Sequence, residues 1–189
     1  MIKTINYPFT FRQVKKLRVG DMVYISGRVI TGRDSAHKFL YESVHTPIKL
    51  ALGAIYHCGP IVIRDTHGWK VHAAGPTTSI REEPYMANII RRYKITVIIG
   101  KGGMGEKTST ACVRHTCVYL DAIGGAAQIL GDTVKQVIAV YYLREFGPTE
   151  AMWELQLENF PALVTIDSRG RNLHEQIAAI SRRNLGKLL

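Results

Sequence analysis

At 189 residues, with 46% hydrophobic and 21% charged side chains, the chain can bury one substantial core but not two, so residues 1–189 are read as one domain. No apolar run approaches the ~18 residues of a membrane span, the opening MIKTINYPFTFRQVKK lacks the apolar centre of a secretory signal, and three cysteines point to a reducing compartment, the cytoplasm. The net charge of +10 is dispersed, without a basic run or an interleaved aromatic stripe, which favours solvated basic faces over nucleic-acid binding and leaves room for a basic cleft that holds a small polyanion.

In chain order, residues 22–30 (MVYISGRVI) alternate as a half-buried strand does. Residues 34–45 predict a short helix with Asp34 as N-cap. Strands follow at 60–64 and 69–73, joined by the turn-like DTHG of 65–68. From Pro84 the pattern turns helical, with Tyr85, Met86, Ile89, Ile90 and Tyr93 on one face and Arg91 and Arg92 pointing away. Residues 95–99 (ITVII) are β-branched and, Thr96 aside, apolar, as in a parallel strand buried on both faces. A further strand is expected at 117–123, a helix at 125–134, and strands at 137–142 and 153–157. The chain closes in an amphipathic helix, 173–188, with Leu173, Ile177, Ile180 and Leu188 inward. The fold class is mixed α/β, an antiparallel-leaning first half followed by a parallel βαβ second half.

Between the strand at 95–99 and its following helix lies GKGGMGEK. Gly100, Gly102 and Gly105 satisfy the spacing of a dinucleotide fingerprint, but too little chain follows to complete such a domain. A nucleotide phosphate loop fails more sharply, because Glu106 stands where the phosphate-binding lysine belongs and repels phosphate. What remains is Lys101 among glycines, with backbone N–H groups and a helix start that favour an anion. Two other strand-to-helix junctions carry arginine: Arg33 in TGRDSAH and Arg81 in GPTTSIR. Two guanidinium forks and one ammonium form a set suited to carboxylates. Taken singly, each could equally be a solvated lysine or a structural ion pair.

These stretches make the chain recognisable. The run from VGD (19–21) through SGRVITGRDSAH, YHCGPIV, VHAAGPTTSIR, IIGKGGMG, DAIGGAAQIL and EFGPTEAMWELQLENFPALVTID resembles the β subunit, or carboxy-terminal domain, of class I iron–sulfur fumarate hydratases and their L-tartrate dehydratase relatives. The resemblance implies a swivelling β/β/α three-layer fold and reversible hydration of fumarate to L-malate. It implies a 4Fe–4S cluster bound by a partner alpha subunit, whose one iron without a cysteine ligand acts as Lewis acid, with no metal ligand in this chain. It places Thr77 as the base at C3, assisted by an aspartate of the other subunit, and Arg33, Arg81 and Lys101 on the substrate carboxylates. Asp34 and His37 are read as helix-capping and supporting residues. Cys58, Cys112 and Cys117 match no cluster spacing and are read as buried small residues. The expected assembly is a hetero-oligomer with the cluster-bearing alpha subunit, or a homodimer when isolated, with a small dicarboxylate substrate and no membrane or nucleic acid. L-Tartrate dehydratase and methylfumarate hydratase are the alternatives, and a nucleotide- or nucleic-acid-binding module is the more distant one.

Overall fold

The computed structural model describes residues 1–43, 45–66 and 68–186, so Val44, His67 of the expected turn and Leu188 of the expected helix lie outside the described residues. In chain order the elements are β1 (Ile2–Asn6), α1 (Phe11–Val14), β2 (Met22–Gly32), α2 (Asp34–Glu42), β3 (Ala54–His57), β4 (Ile61–Asp65) and β5 (Gly68–Ala73). A short 3-10 turn, Ser79–Glu82, leads into α3 (Glu83–Tyr93), then β6 (Val97–Gly100), α4 (Glu106–His115), β7 (Val118–Asp121) and α5 (Ala127–Asp132). Last come β8 (Val134–Tyr141), α6 (Leu143–Phe146), β9 (Met152–Ile166) and α7 (Leu173–Leu185).

The main sheet has the order β1-β2-β3-β6-β7-β9-β8, and β2 also pairs with β9. That extra pairing closes β2, β3, β6, β7 and β9 into a ring. The strands β2, β3, β6 and β7 are mutually parallel, so their carboxyl ends share one edge. The alternation of a strand divides their side chains between two cores. Tyr56, Val97, Ile99, Val118 and Leu120 fill the enclosed side, together with Trp153 and Phe160 of β9. Ile55, Ile98 and Tyr119 face the helix layer, where Leu40 of α2, Met86, Ile89 and Ile90 of α3 and Ala111 of α4 cover them. Two β layers and one α layer result, in line with the expected three-layer α/β fold.

Three expectations need correction. The antiparallel leaning of the first half is confined to the β4–β5 hairpin, because β1, β2 and β3 pair in parallel; the second half has the parallel unit β6-α4-β7, but β8 and β9 run antiparallel. Asp34 is not an N-cap: it opens α2, the capping position is Arg33, and no side chain there bonds the helix. The closing helix does form, capped by Asn172, whose Oδ1 accepts from the His174 and Glu175 N–H groups. Its apolar residues are not inward, however, since Ile177 and Ile180 are 56% and 55% exposed and Leu173 is half-buried. Among the described residues no helix is long and apolar enough to cross a membrane.

Candidate active site

The carboxyl edge of a parallel sheet is where α/β proteins place ligand-binding groups. Here β2 delivers Arg33 to that edge, β3 His57, β6 Lys101 and β7 Asp121. The GPTTSIR segment lies across the same edge as an improvised strand. Pro76 bridges Cys58, the Thr77 N–H donates to the His57 carbonyl (2.7 Å), and Thr78 pairs with Lys101. Ser79 then closes a reciprocal contact: its N–H donates to the Lys101 carbonyl (3.0 Å) and its Oγ accepts from the Lys101 N–H (3.0 Å).

Ser79 is fully buried, and its Oγ also accepts from Tyr119 Oη (2.9 Å) and meets His57 Nδ1 (2.8 Å). Gly100 is what permits this. A Cβ there would overlap Ser79 Oγ and come within 3.0 Å of His57 Nδ1 and Tyr119 Oη. We expect Ser79→Ala to destabilise the fold by about 1–3 kcal/mol, because it strands buried partners at once. Urea unfolding of the variant measures this, and an unchanged midpoint would show that the hydroxyl holds nothing.

The glycine turn behaves differently from the expectation of an anion at its helix start. The Glu83 carboxylate fills that position itself, accepting from the Gly105 N–H (2.9 Å), the Thr108 N–H (3.2 Å) and Thr108 Oγ1 (2.6 Å). A negative side chain there complements the positive end of α4, so no phosphate is seated on this helix. Lys101 alone stays available: it is exposed, makes no ion pair among the described residues, and runs its stem past Gly124, whose added Cβ would lie 3.3 Å from Lys101 Cδ.

Arg33 Nε pairs with Glu150 Oε1 (3.2 Å), and Glu150 Oε2 also accepts from the Ser35 N–H (3.0 Å), which ties the start of α2 to the loop before β9. Arg81 Nη2 lies 3.5 Å from Asp34 Oδ1, with both groups about half exposed. His37 links these to the rest, its Nδ1 bonding the Arg33 carbonyl (2.8 Å) and its ring meeting His57 edge-on at 4.8 Å. Thr77, Arg33, Arg81 and Lys101 are thereby gathered on one edge. The Thr77 Oγ1 is buried without a hydrogen-bond partner among the described residues, so it neither caps nor braces α3.

Beneath this edge sits a group of buried ionisable residues. His37 and His57 are fully buried; burial lowers the pKa of His37 to about 4 and that of His57 well below its ordinary value, so both are neutral. Glu82 is 1% exposed, and burial, reinforced by Asp34, pushes its pKa up to about 8. The Asp34 carboxyl is held low, first by its hydrogen bond from Glu82 and also by the Arg81 charge. Two carboxyls can face each other in this way only by sharing a proton, with Glu82 as the neutral donor.

The three thiols do not converge. Cys58 lies in the enclosed core, Cys112 and Cys117 under the helices. Burial raises Cys58 to about 12 and Cys117 well above the ordinary range, which disfavours the thiolates an iron–sulfur cluster needs. Among the described residues no group of three or more His, Cys, Asp or Glu could hold a metal ion. The described residues therefore do not fit such a cluster.

A sequence model of the Fumarase C-terminus family matches residues 2–177. The chain belongs to the Fumarase C-terminus family. A Geobacillus stearothermophilus protein provisionally named fumarate hydratase class I is 49% identical over 97% of this chain, which spans 36% of that protein's length. A Methanocaldococcus jannaschii protein provisionally named L(+)-tartrate dehydratase subunit beta is 38% identical, with 95% of each chain covered. The Escherichia coli L(+)-tartrate dehydratase subunit beta is 33% identical over 92% of this chain and 87% of its own.

Sequence reasoning missed several residues that organise this family member's edge. Glu150 orients Arg33, and Asp121 pairs with His174 Nε2 (2.8 Å) while accepting from Tyr119 Oη (3.1 Å). Ser79, which ties the GPTTSIR segment to Lys101, and Glu82 are two more such residues. No local signal marks Glu82, whose partners come from α2.

Proposed function

We propose that this chain, as one fumarase-type unit, is the substrate-gripping half of an iron–sulfur hydro-lyase that interconverts fumarate and L-malate. The observation that carries the proposal is the single edge that gathers two guanidinium groups, an ammonium and a buried threonine hydroxyl, the last two without an ion-pair or hydrogen-bond partner among the described residues. Arg33 and Arg81 offer planar forks to the substrate carboxylates and Lys101 a compact charge. Held between them, a four-carbon diacid presents its C3 proton to Thr77 Oγ1. A threonine hydroxyl is a weak base in water, so a carboxylate from the partner must assist it. The cluster belongs to that partner, an alpha subunit completing the site, and no residue of this chain is assigned to the departing C2 hydroxyl.

The 49% identity to a protein named fumarate hydratase favours fumarate. L-Tartrate is the second reading, favoured by the near-complete coverage of the tartrate dehydratase beta subunits. Co-purification with a cluster-bearing alpha subunit, followed by kcat/KM for fumarate, malate and L-tartrate, tests both. Faster turnover of tartrate selects the second reading, and failure of the two chains to co-elute removes both.

In that complex Lys101→Ala should lower kcat/KM about 10- to 150-fold, the loss of one charge-assisted hydrogen bond. Lys101→Arg should rescue poorly, because the fork must fit beside the Gly124 backbone. Arg33→Ala and Arg81→Ala should act mainly on KM. Wild-type kinetics in Lys101→Ala would reduce the loop to a turn.

A further inference from the structure

A cleft of about 400 Å³ opens at the amino-terminal edge of the sheet, opposite the edge that carries Lys101. The last turns of α3 and α4 wall it with Arg91, Arg114 and His115, Lys94 follows α3, and Phe11 and Lys15 come from the α1 region. A second hollow of about 290 Å³ shares Arg91, Arg114 and His115 and runs on between α3 and α4 to Lys107.

Among the described residues no acid lines either hollow. None of Lys15, Arg91, Lys94, Lys107 and Arg114 is ion-paired with an acid among the described residues. Helix ends explain part of this charge, since α3 and α4 both finish here and each carbonyl end carries about half a negative charge. That offsets about one of the five cations. The rest repel one another across a concave surface, which costs stability unless an anion joins them.

We propose that this cleft binds a small polyphosphate, of the nucleoside di- or triphosphate kind, at a site separate from the diacid edge. Its volume falls within the range of small-molecule pockets. Arg91 and Arg114 can each grip phosphate oxygens with two parallel N–H groups, and the lysines add point charges along the phosphate chain. Phe11, 44% exposed, lines the cleft together with buried Ile90 and offers a face on which a base can stack. One aromatic in a short cleft suits a single nucleotide. A nucleic-acid strand asks for a row of them, and the lining supplies none.

Calorimetry on the 189-residue chain at near-physiological salt, with ADP, ATP, inorganic tripolyphosphate and a short single-stranded oligonucleotide, tests this. ATP and ADP should bind saturably, one per chain. The double variant Arg91→Ala/Arg114→Ala should weaken ATP about 10-fold or more, whereas Lys101→Ala at the far edge should leave ATP affinity unchanged. Phe11→Ala should weaken ATP but not tripolyphosphate; if both ligands bind equally in wild type and respond alike to the arginine changes, the site takes the phosphate chain alone. Three results would overturn the proposal: no saturable heat with wild-type chain, ATP binding that disappears in Lys101→Ala but survives the arginine changes, or an oligonucleotide that binds more tightly than ATP.

Discussion

Replacing Thr77 by valine should lower kcat about 100- to 10,000-fold, the range a positioned general base contributes, and should barely change KM. The side chain keeps its shape and loses only the oxygen. The backbone that presents it is fixed independently, by the Thr77 N–H on the His57 carbonyl and the Cys58–Pro76 bridge, so the loop stays in place. Stability supplies a second readout. A buried hydroxyl without a partner costs free energy in the folded state, so its removal should leave the chain equally stable or slightly more stable. A hydroxyl with a structural role would show the reverse, with stability lost and turnover kept. Thr77→Ser should recover most of the activity, because the oxygen returns. The measurement is malate dehydration by the reconstituted complex, paired with urea unfolding of each variant. Wild-type kcat in Thr77→Val would end the assignment of this residue as the base.

The contrast between Thr77 and its neighbours shows which parts of the site the sequence can display. Thr77, Arg33, Arg81 and Lys101 were legible because each sits in a short glycine-bearing stretch at a strand end, where local pattern and position coincide. Glu82 and Glu83 are adjacent glutamates that look alike in sequence. One is buried against Asp34 and His37, and the other reaches across to seat the start of α4. Only the packing of α2 and α4 around them separates the two, and no periodicity encodes that. The fold divides in the same way. The apolar run that became β6 announced a strand buried on both faces, but strand direction leaves no mark on composition, so the parallel pairing of β1, β2 and β3 was not legible. β9 is longer than its apolar core suggests, because Glu158, Asn159 and Pro161 interrupt the pattern while the pairing with β2 includes Pro161 and resumes beyond a bulge at Glu158 and Asn159. For α7 the spacing identified the apolar face correctly. Whether anything covers that face depends on the rest of the fold.

In wild-type complex, kcat/KM should fall as pH rises through about 8, chiefly through KM, and Glu82→Gln should remove that alkaline limb. Near neutrality Arg33, Arg81 and Lys101 face Asp34 and Glu150, with Glu82 protonated, and the balance favours a dianion. His37, packed beside Glu82, and His57, packed on His37, are neutral throughout this range. Ionising Glu82 places a second negative charge against Asp34, breaks their shared proton and draws Arg81 toward the protein's own acids and away from the substrate's. Since the protonated form dwindles about tenfold per pH unit above its pKa, affinity should fall in proportion. Stability follows the same sign. A carboxyl whose folded pKa lies above its unfolded value contributes most below the ordinary glutamate range, and that contribution is lost as pH climbs through about 8. Glutamine keeps a neutral donor toward Asp34 at every pH, so Glu82→Gln should hold a flat KM where wild type weakens, and its stability should lose the corresponding slope. Glu82→Ala should bind substrate poorly at all pH values, since Asp34 then lacks its donor and Arg81 its orientation. An unchanged alkaline limb in Glu82→Gln would locate the titration elsewhere and leave the Asp34–Glu82 pair without a part in substrate binding.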